Sequence, residues 1–307
     1  MYSLKGMRIF IHVAEVGSYA EVGRILGLSA SAVAKCINKL ETDLGTRLFH
    51  RTTRSIGLTQ EGLFFYSRGK HILSLINDTN SMMMAKLGDP KGTLHLNIPH
   101  IFGHVILLPL LPKFRNNFPD IDLIIDFDDN VVDIIKEGVD VAIRIGELND
   151  SRLICHSIGD QNYVVCGSTH YFKCHGTPLL PSDLVRHTCI HFKHPSNGRL
   201  ANWSFKSPYD ALDLPNNIVF NNSFACLSAT IDSLGIAHLP VYIAKEAIQL
   251  GKLKPILTEF MKPQGKLSLI WPTNRYLSPK IRVFIDFIIE ELQANKQLLT
   301  LDSHSLN

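Results

Sequence analysis

Apolar positions in the first sixty residues recur at helical spacing rather than alternating. Phe10, Val13, Ala14 and Val16 share one face, which Gly17 ends. Ser18 follows as an N-cap, and the helix it opens runs through Val22, Ile25 and Leu26 to Gly27. Leu28 plugs the turn, Ser29 caps the next helix, and Val33, Ile37, Leu40 and Leu44 form its buried stripe. Two capped helices joined by Gly-Leu-Ser spell a helix-turn-helix. From Arg47 the pattern shortens: Leu48–Phe49 and Ile56–Leu58 flank Arg51-Thr52-Thr53-Arg54, which reads as a hairpin with a cationic tip. Thr59 then caps a helix reaching about Lys86. Its apolar positions Leu63, Tyr66, Leu73, Ile76 and Met83 lie near a heptad seam that needs a partner, so the helix is expected to pair two subunits. Gly88-Asp89-Pro90-Lys91-Gly92 breaks it as a hinge.

Beyond Thr93 the rhythm becomes strand, helix, strand. Leu94–Ile98, Ile121–Phe127 and Val139–Ile145 read as strands, with helices expected over Val105–Phe118, kinked at Pro109 and Pro112, and over Val131–Lys136. This βαβαβ pattern implies a parallel sheet covered by helices. Leu153–Val165 and Cys189–Phe192 add strands. Ser228–Leu234 suggests a helix, Leu267–Trp271 a strand and Lys280–Gln293 a last helix, and no internal repeat is visible.

Composition narrows the classes. At 307 residues and 45% apolar, the chain can bury more than one core. Six Cys are too few for a disulfide scaffold, and no run approaches the roughly 18 apolar residues of a membrane span. With no basic-then-apolar leader in Met1–Phe10, a cytoplasmic setting without membrane contact is expected. The net charge of +3 is unevenly spread: residues 1–60 hold eight Lys/Arg against four Asp/Glu, whereas 93–307 are slightly acidic. The positive end is where a polyanion would bind.

The residues Gly17-Ser18-Tyr19, Leu28-Ser29, Ala32-Val33, Leu40-Glu41, Leu44-Gly45, Leu48-Phe49, Arg51 and Leu58-Thr59 with Gly62 resemble the LysR-type transcriptional regulators. Gly138 to Gly146 and Gly235 to Pro240 look like that family's effector-domain segments. The chain departs from the family pattern at Glu21-Val22-Gly23, at Ala30 and Ala34 in the recognition helix, and at His100. The resemblance implies an α+β multidomain chain: an N-terminal winged helix-turn-helix (1–60), a linker or dimerisation helix (59–87), a hinge (88–92) and a C-terminal α/β two-lobed, periplasmic-binding-protein-like effector domain (93–295). Lobe I would span about 93–163 and 267–295, lobe II about 164–266, with 296–307 a tail. The expected partners are double-stranded promoter DNA, an unidentified small-molecule effector, a second subunit in a dimer or tetramer, and RNA polymerase.

Periodicity turns Ser29, Ala30, Ser31, Ala34, Lys35 and Asn38 away from the buried stripe, toward a major groove. Arg51, Thr53 and Arg54 at the hairpin tip suit phosphate or a narrow minor groove. By resemblance, the effector crevice is lined by Pro99, His100, Phe102, Ile145, Gly146, Asn222, Ser223, Phe224, His238 and Pro240. Asp126, Asp128 and Asp129 at a strand end read more simply as a solvated loop than as a polar-ligand or cation site. Cys155, Cys166, Cys174 and Cys189 sit among six histidines between residues 155 and 194, but no Cys-x-x-Cys or standard zinc spacing occurs, so no metal or cofactor is expected. The chain also lacks the glycine-rich phosphate loop, the Gly-x-Gly-x-x-Gly turn and the Gly-x-Ser-x-Gly elbow, which disfavours an enzyme. Two alternatives stay open: a small-molecule-binding protein or enzyme whose N-terminal helices serve only assembly, and a thiol-sensing regulator.

Overall fold

The computed structural model describes residues 3–51, 56–84, 90–130, 132–146, 152–262, 264–273 and 277–300. Three short helices open the chain: α1 (Leu4–Val16), α2 (Tyr19–Leu26) and α3 (Ala30–Leu44). Each begins on a serine whose hydroxyl accepts an orphan N–H: Ser3 from Gly6, Ser18 from Glu21, Ser29 from Ala32. Gly17, Gly27 and Gly45 end the three helices in the left-handed conformation. Their stripes meet in one core, with Phe10, Val13, Val22, Val33 and Ile37 essentially solvent-free. Strands β1 (Phe49–Arg51) and β2 (Ile56–Leu58) pair antiparallel beside it.

Two glycines permit this packing. A Cβ on Gly23 would stand 2.6 Å from the Leu28 carbonyl oxygen, and one on Gly62 would stand 2.0 Å from that of Leu48. Both obstacles are backbone, so glycine is required for the chains to approach. Helix α4 (Gln60–Met84) starts at Thr59, whose hydroxyl accepts from Gly62 N–H and donates to the Arg47 carbonyl, tying helix to hairpin. Leu63 and Phe64 on α4 stay 57% and 61% exposed.

The remainder folds into two five-stranded sheets. The first contains β3 (Gly92–Ile98), β4 (Ile121–Phe127), β5 (Val141–Ile145), β6 (Leu153–Asp160) and β12 (Lys266–Pro272), in the order β4-β3-β5-β12-β6. The second contains β7 (Tyr163–Ser168), β8 (Cys189–Phe192), β9 (Ile218–Phe220), β10 (Ile236–Pro240) and β11 (Leu253–Ile256), in the order β11-β7-β10-β8-β9. Strands β4-β3-β5 run parallel, and so do β9-β8-β10; the remaining two strands of each sheet join antiparallel. The lobes therefore share a topology that no repeat in the sequence reveals. The chain crosses between them at Gln161 and near Gly265, where Gln161 N–H donates to the Gly265 carbonyl and Gln264 N–H to that of Gln161.

Lobe I is covered by α5 (His100–Phe102), α6 (Leu108–Asn117), α7 (Ile134–Glu137) and, from the chain's end, α11 (Pro279–Ala294). Lobe II carries α8 (Thr169–His175), α9 (Ser223–Ile231) and α10 (Val241–Gln249). The nearly dry Lys280 side chain donates to Asp140 at 3.1 Å and to the Thr93 carbonyl, seating α11 against the starts of β3 and β5.

Several elements differ from their expected bounds. The helix expected over Val105–Phe118 begins at His100 and passes through a π-helical stretch, Gly103–Leu107, before α6. The wider turn, closed by Leu108 N–H donating to the Gly103 carbonyl, ends where Pro109 enters the first turn of α6, a place that needs no N–H, while Pro112 lies inside α6. The Val131–Lys136 helix shortens to α7, because Asp133 caps it by accepting from Ile135 and Lys136 N–H; Val131 lies outside the described residues. The helix expected at Ser228–Leu234 is α9, shifted toward the N-terminus by the Asn222 side chain accepting from Ala225 N–H. Within the supposed tail, Leu299 is buried in the lobe I core.

Candidate nucleic-acid interface and effector cleft

Helix α3 divides cleanly along its length. Val33, Ile37 and Leu40 are at most 2% exposed, whereas Ser29, Ala30, Ser31, Lys35 and Asn38 are open to solvent and Ala34 is half-buried. A 3.6-residue period cannot turn both sets inward, so the polar set forms a continuous outer face. The Ser29 and Ser31 hydroxyls lie 3.0 Å apart at the helix start. Glu41, 9% exposed, turns inward instead, and its Oε1 accepts from Leu48 N–H at 2.8 Å and Phe49 N–H at 3.2 Å. That carboxylate links α3 to the start of the hairpin. The backbone of Arg51 ends β1, while Thr53 and Arg54 lie outside the described residues.

Between the two lobes lies a cavity of about 220 Å³. Among the expected effector residues, Pro99, Ile145, Ser223, His238 and Pro240 border it. The structure places the others elsewhere. Phe102 is fully buried in the lobe I core, edge-on to Tyr242. His100 is exposed, its backbone N–H bound by Asp129 and its ring stacked on His104. Gly146 ends β5 at φ 102°, Asn222 is spent capping α9, and Phe224 packs edge-on to His104. None of these five lines the cavity.

Residues that the sequence did not single out for the cleft complete its wall, chiefly Arg144, Asp128, Asp129, Gln161, Tyr163 and Tyr242. Gln161 is fully buried at the crossing between lobes and donates to the Tyr242 hydroxyl at 3.4 Å. Burial pushes both tyrosine hydroxyls upward in pKa, so they stay protonated donors. The one readable signal was the Asp126–Asp129 carboxylate run, here at the cleft end of β4.

Tyr163 and His238 of this wall stack with Trp203 behind them, at 4.5 Å between the first pair and 5.7 Å between His238 and Trp203, and His191 lies 5.5 Å from Trp203. Desolvation first, and the neighbouring His191 second, pull His238 down to about 3, so its imidazole is neutral. His191 is lowered by burial too, partly offset by its bond to the Pro215 carbonyl. Burial raises the Cys166 and Cys189 thiols to about 12 and Cys226 to about 11, which removes their nucleophilic thiolate. Cys36, Cys155 and Cys174 are unpaired thiols nearer the surface. No group of three metal-ligating side chains occurs among the described residues, and no described helix is long and apolar enough to cross a membrane.

A capped helix-turn-helix with a hairpin, a long helix and a two-lobed α/β domain enclosing a cleft define a DNA-binding regulator with a ligand-sensing domain. Comparison with known proteins agrees. The profile of the bacterial regulatory helix-turn-helix protein, lysR family, matches residues 4–63, and that of the LysR substrate binding domain matches residues 87–293. The chain belongs to the LysR family of transcriptional regulators. An HTH-type transcriptional regulator of Haemophilus influenzae is 31% identical over 92% of this chain and 98% of its own. The regulator CrgA of Neisseria meningitidis is 31% identical over 94% of this chain and 97% of its own. The solved CrgA structure superposes with a TM-score of 0.61 at 28% identity, covering 95% of this chain and 99% of that one. A Corynebacterium glutamicum OxyR mutant, 17% identical with the same TM-score over 98% and 97% of the chains, shares the fold.

Proposed function

We propose that this regulator reads a two-fold-symmetric promoter site by laying the outer face of α3 in the major groove. Ser29, Ala30, Ser31, Ala34, Lys35 and Asn38 face the bases and nearby phosphates, while Arg51, Thr53 and Arg54 grip the adjacent backbone. The observation that carries this is the split of α3: a solvent-free stripe on one side and an outer face carrying Ser29, Ser31, Lys35 and Asn38 on the other, bonded to the hairpin through Glu41. The exposed Leu63 and Phe64 support α4 as the pairing surface of two subunits, which assemble further into a tetramer. A small-molecule effector in the cleft between lobes favours one lobe arrangement and so changes the spacing of the paired heads. RNA polymerase at the promoter is read as a further partner, the setting as the cytoplasm, and the chain as a regulator without catalysis.

Gel-shift titration on the DNA upstream of its own gene, at two salt concentrations, tests the reading. Sequence-selective retention is expected, with log K falling by roughly 0.9 per phosphate contact for each tenfold rise in salt. Absence of retention at low salt refutes it, and leaves the N-terminal helices with an assembly role alone.

A further inference from the structure

The last residues of a domain fray unless something ties them down. Here the turn after α11, Lys296–Leu298, and the two residues beyond it are tied to both lobes. Leu299 is 7% exposed and belongs to the lobe I core. Gly159, near the end of β6, leaves the room it occupies, since a Cβ there would stand 2.9 Å from Leu299 Cδ1. On either side of Leu299, the Gln297 and Thr300 carbonyls accept from the Lys245 ammonium, at 2.7 and 3.4 Å. Lys245 lies on α10, whose Val241, Ile243, Ala244, Ala247 and Ile248 are buried in the lobe II core, so it belongs to lobe II. The Leu299 carbonyl itself accepts from Asn162 Nδ2 at 3.2 Å, beside the first crossing between the lobes.

The two crossings are bonded to each other, Gln161 N–H to Gly265 and Gln264 N–H to Gln161, and so form a two-stranded ribbon. A few residues at such a place absorb the dihedral changes of a hinge. Helix α10 already reaches over the boundary once, through Tyr242, which packs in the lobe I core. Lys245 reaches over it again one turn later. Its bonds to the two carbonyls are charge-assisted and stronger than neutral ones. Lobe motion that carries α10 away from the chain end must break them or draw Leu299 out of its core. We propose that residues 296–300 are a strap across the hinge, anchored in lobe I by Leu299 and hooked from lobe II by Lys245, which limits how far the lobes swing. The end of the chain thereby helps set the resting balance of lobe arrangements. Neither the DNA face nor an effector enters into the strap, so absence of DNA retention would leave it standing.

Spin-label distance measurement on the full-length protein tests this. Cys155 on β6 and Cys174 on α8 are exposed, one on each lobe, and take the labels, with Cys36→Ser removing the half-buried thiol of α3. Cys166, Cys189 and Cys226 are buried. Diluting labelled protein into an excess of unlabelled subunits restricts the signal to the distance within one subunit. Lys245→Met, which removes the ammonium, and a chain ended after Asn295 should each widen the distance distribution by at least half. In Lys245→Met, amide exchange over 94–98 and 164–168, in the two lobe cores, should match the unaltered chain, because each lobe keeps its own fold. The proposal is overturned if Lys245→Met keeps the original width, or if its widening comes with faster exchange in the cores, which would make Lys245 a part of the lobe's fold alone. A shortened chain that folds with the original width overturns it as well. Should the shortened chain fail to fold, Lys245→Met decides by itself.

Discussion

Glu41 offers the sharpest test of how the DNA-reading head is held together. Its Oε1 alone accepts from two buried N–H groups, Leu48 at 2.8 Å and Phe49 at 3.2 Å, where the chain leaves α3 for the hairpin. Glu41→Ala removes the acceptor and strands both donors. Each stranded buried donor costs about 1–3 kcal/mol, so the head should lose about 3 kcal/mol once relaxation is allowed. Glu41→Gln keeps a neutral oxygen in the same place; charge-assisted bonds are about twice as strong as neutral ones, so it should lose only about 1 kcal/mol. For a unit of this size, 1 kcal/mol shifts the melting point by roughly 4–8 °C, which makes the two variants easy to rank. Hydrogen exchange read at Leu48 and Phe49 supplies the local measurement: both amides should lose protection in Glu41→Ala, in proportion to the fall in stability. DNA affinity should fall with it, because the hairpin would lose its tie to α3. If Glu41→Ala matches the wild type in melting and exchange, or if the two variants are indistinguishable, the carboxylate does not couple helix to hairpin.

Other outcomes follow from the same geometry. Lys35→Ala should leave the melting curve unchanged, since its side chain is exposed, but reduce the slope of log K against log salt by about 0.9; an unchanged slope removes Lys35 from the interface. Gly62→Ala, whose Cβ would meet the Leu48 carbonyl at 2.0 Å, should destabilise the head by more than the helical gain of about 1 kcal/mol, and denaturant titration showing net stabilisation would contradict the close approach. His238 is neutral in the fold, with its pKa near 3 against 6.5 when unfolded, so its contribution is complete above pH 6.5 and is lost as pH falls toward 3. His238→Phe, which keeps the stack between Tyr163 and Trp203, should flatten that acid limb by up to about 1.4 kcal/mol per pH unit; an unaltered limb in pH-dependent melts would show that His238 is not what titrates.

Local order was legible because its causes are local. Ser18, Ser29, Gly17 and Gly27 cap and stop helices through bonds within a few residues, and the Val33, Ile37 and Leu40 stripe states its own inner face. The head's outer face followed from the same arithmetic. The cleft was legible only in part: the family resemblance pointed to Pro99, Ile145, Ser223, His238 and Pro240, which border it. Arg144 and Gln161 were not, because each looks ordinary until β12 lies beside β5 and the chain crosses twice between lobes. The shared topology of the two sheets was likewise invisible, as many unrelated apolar strands satisfy one strand order. The π-helical turn before Pro109 moved a helix start that proline rules alone misplace. What the chain determined by itself is what hydrogen bonds and periodicity decide over a few residues. What the tertiary structure decided is which polar groups end up buried together, as Gln161 and Tyr242 do where the chain crosses between lobes.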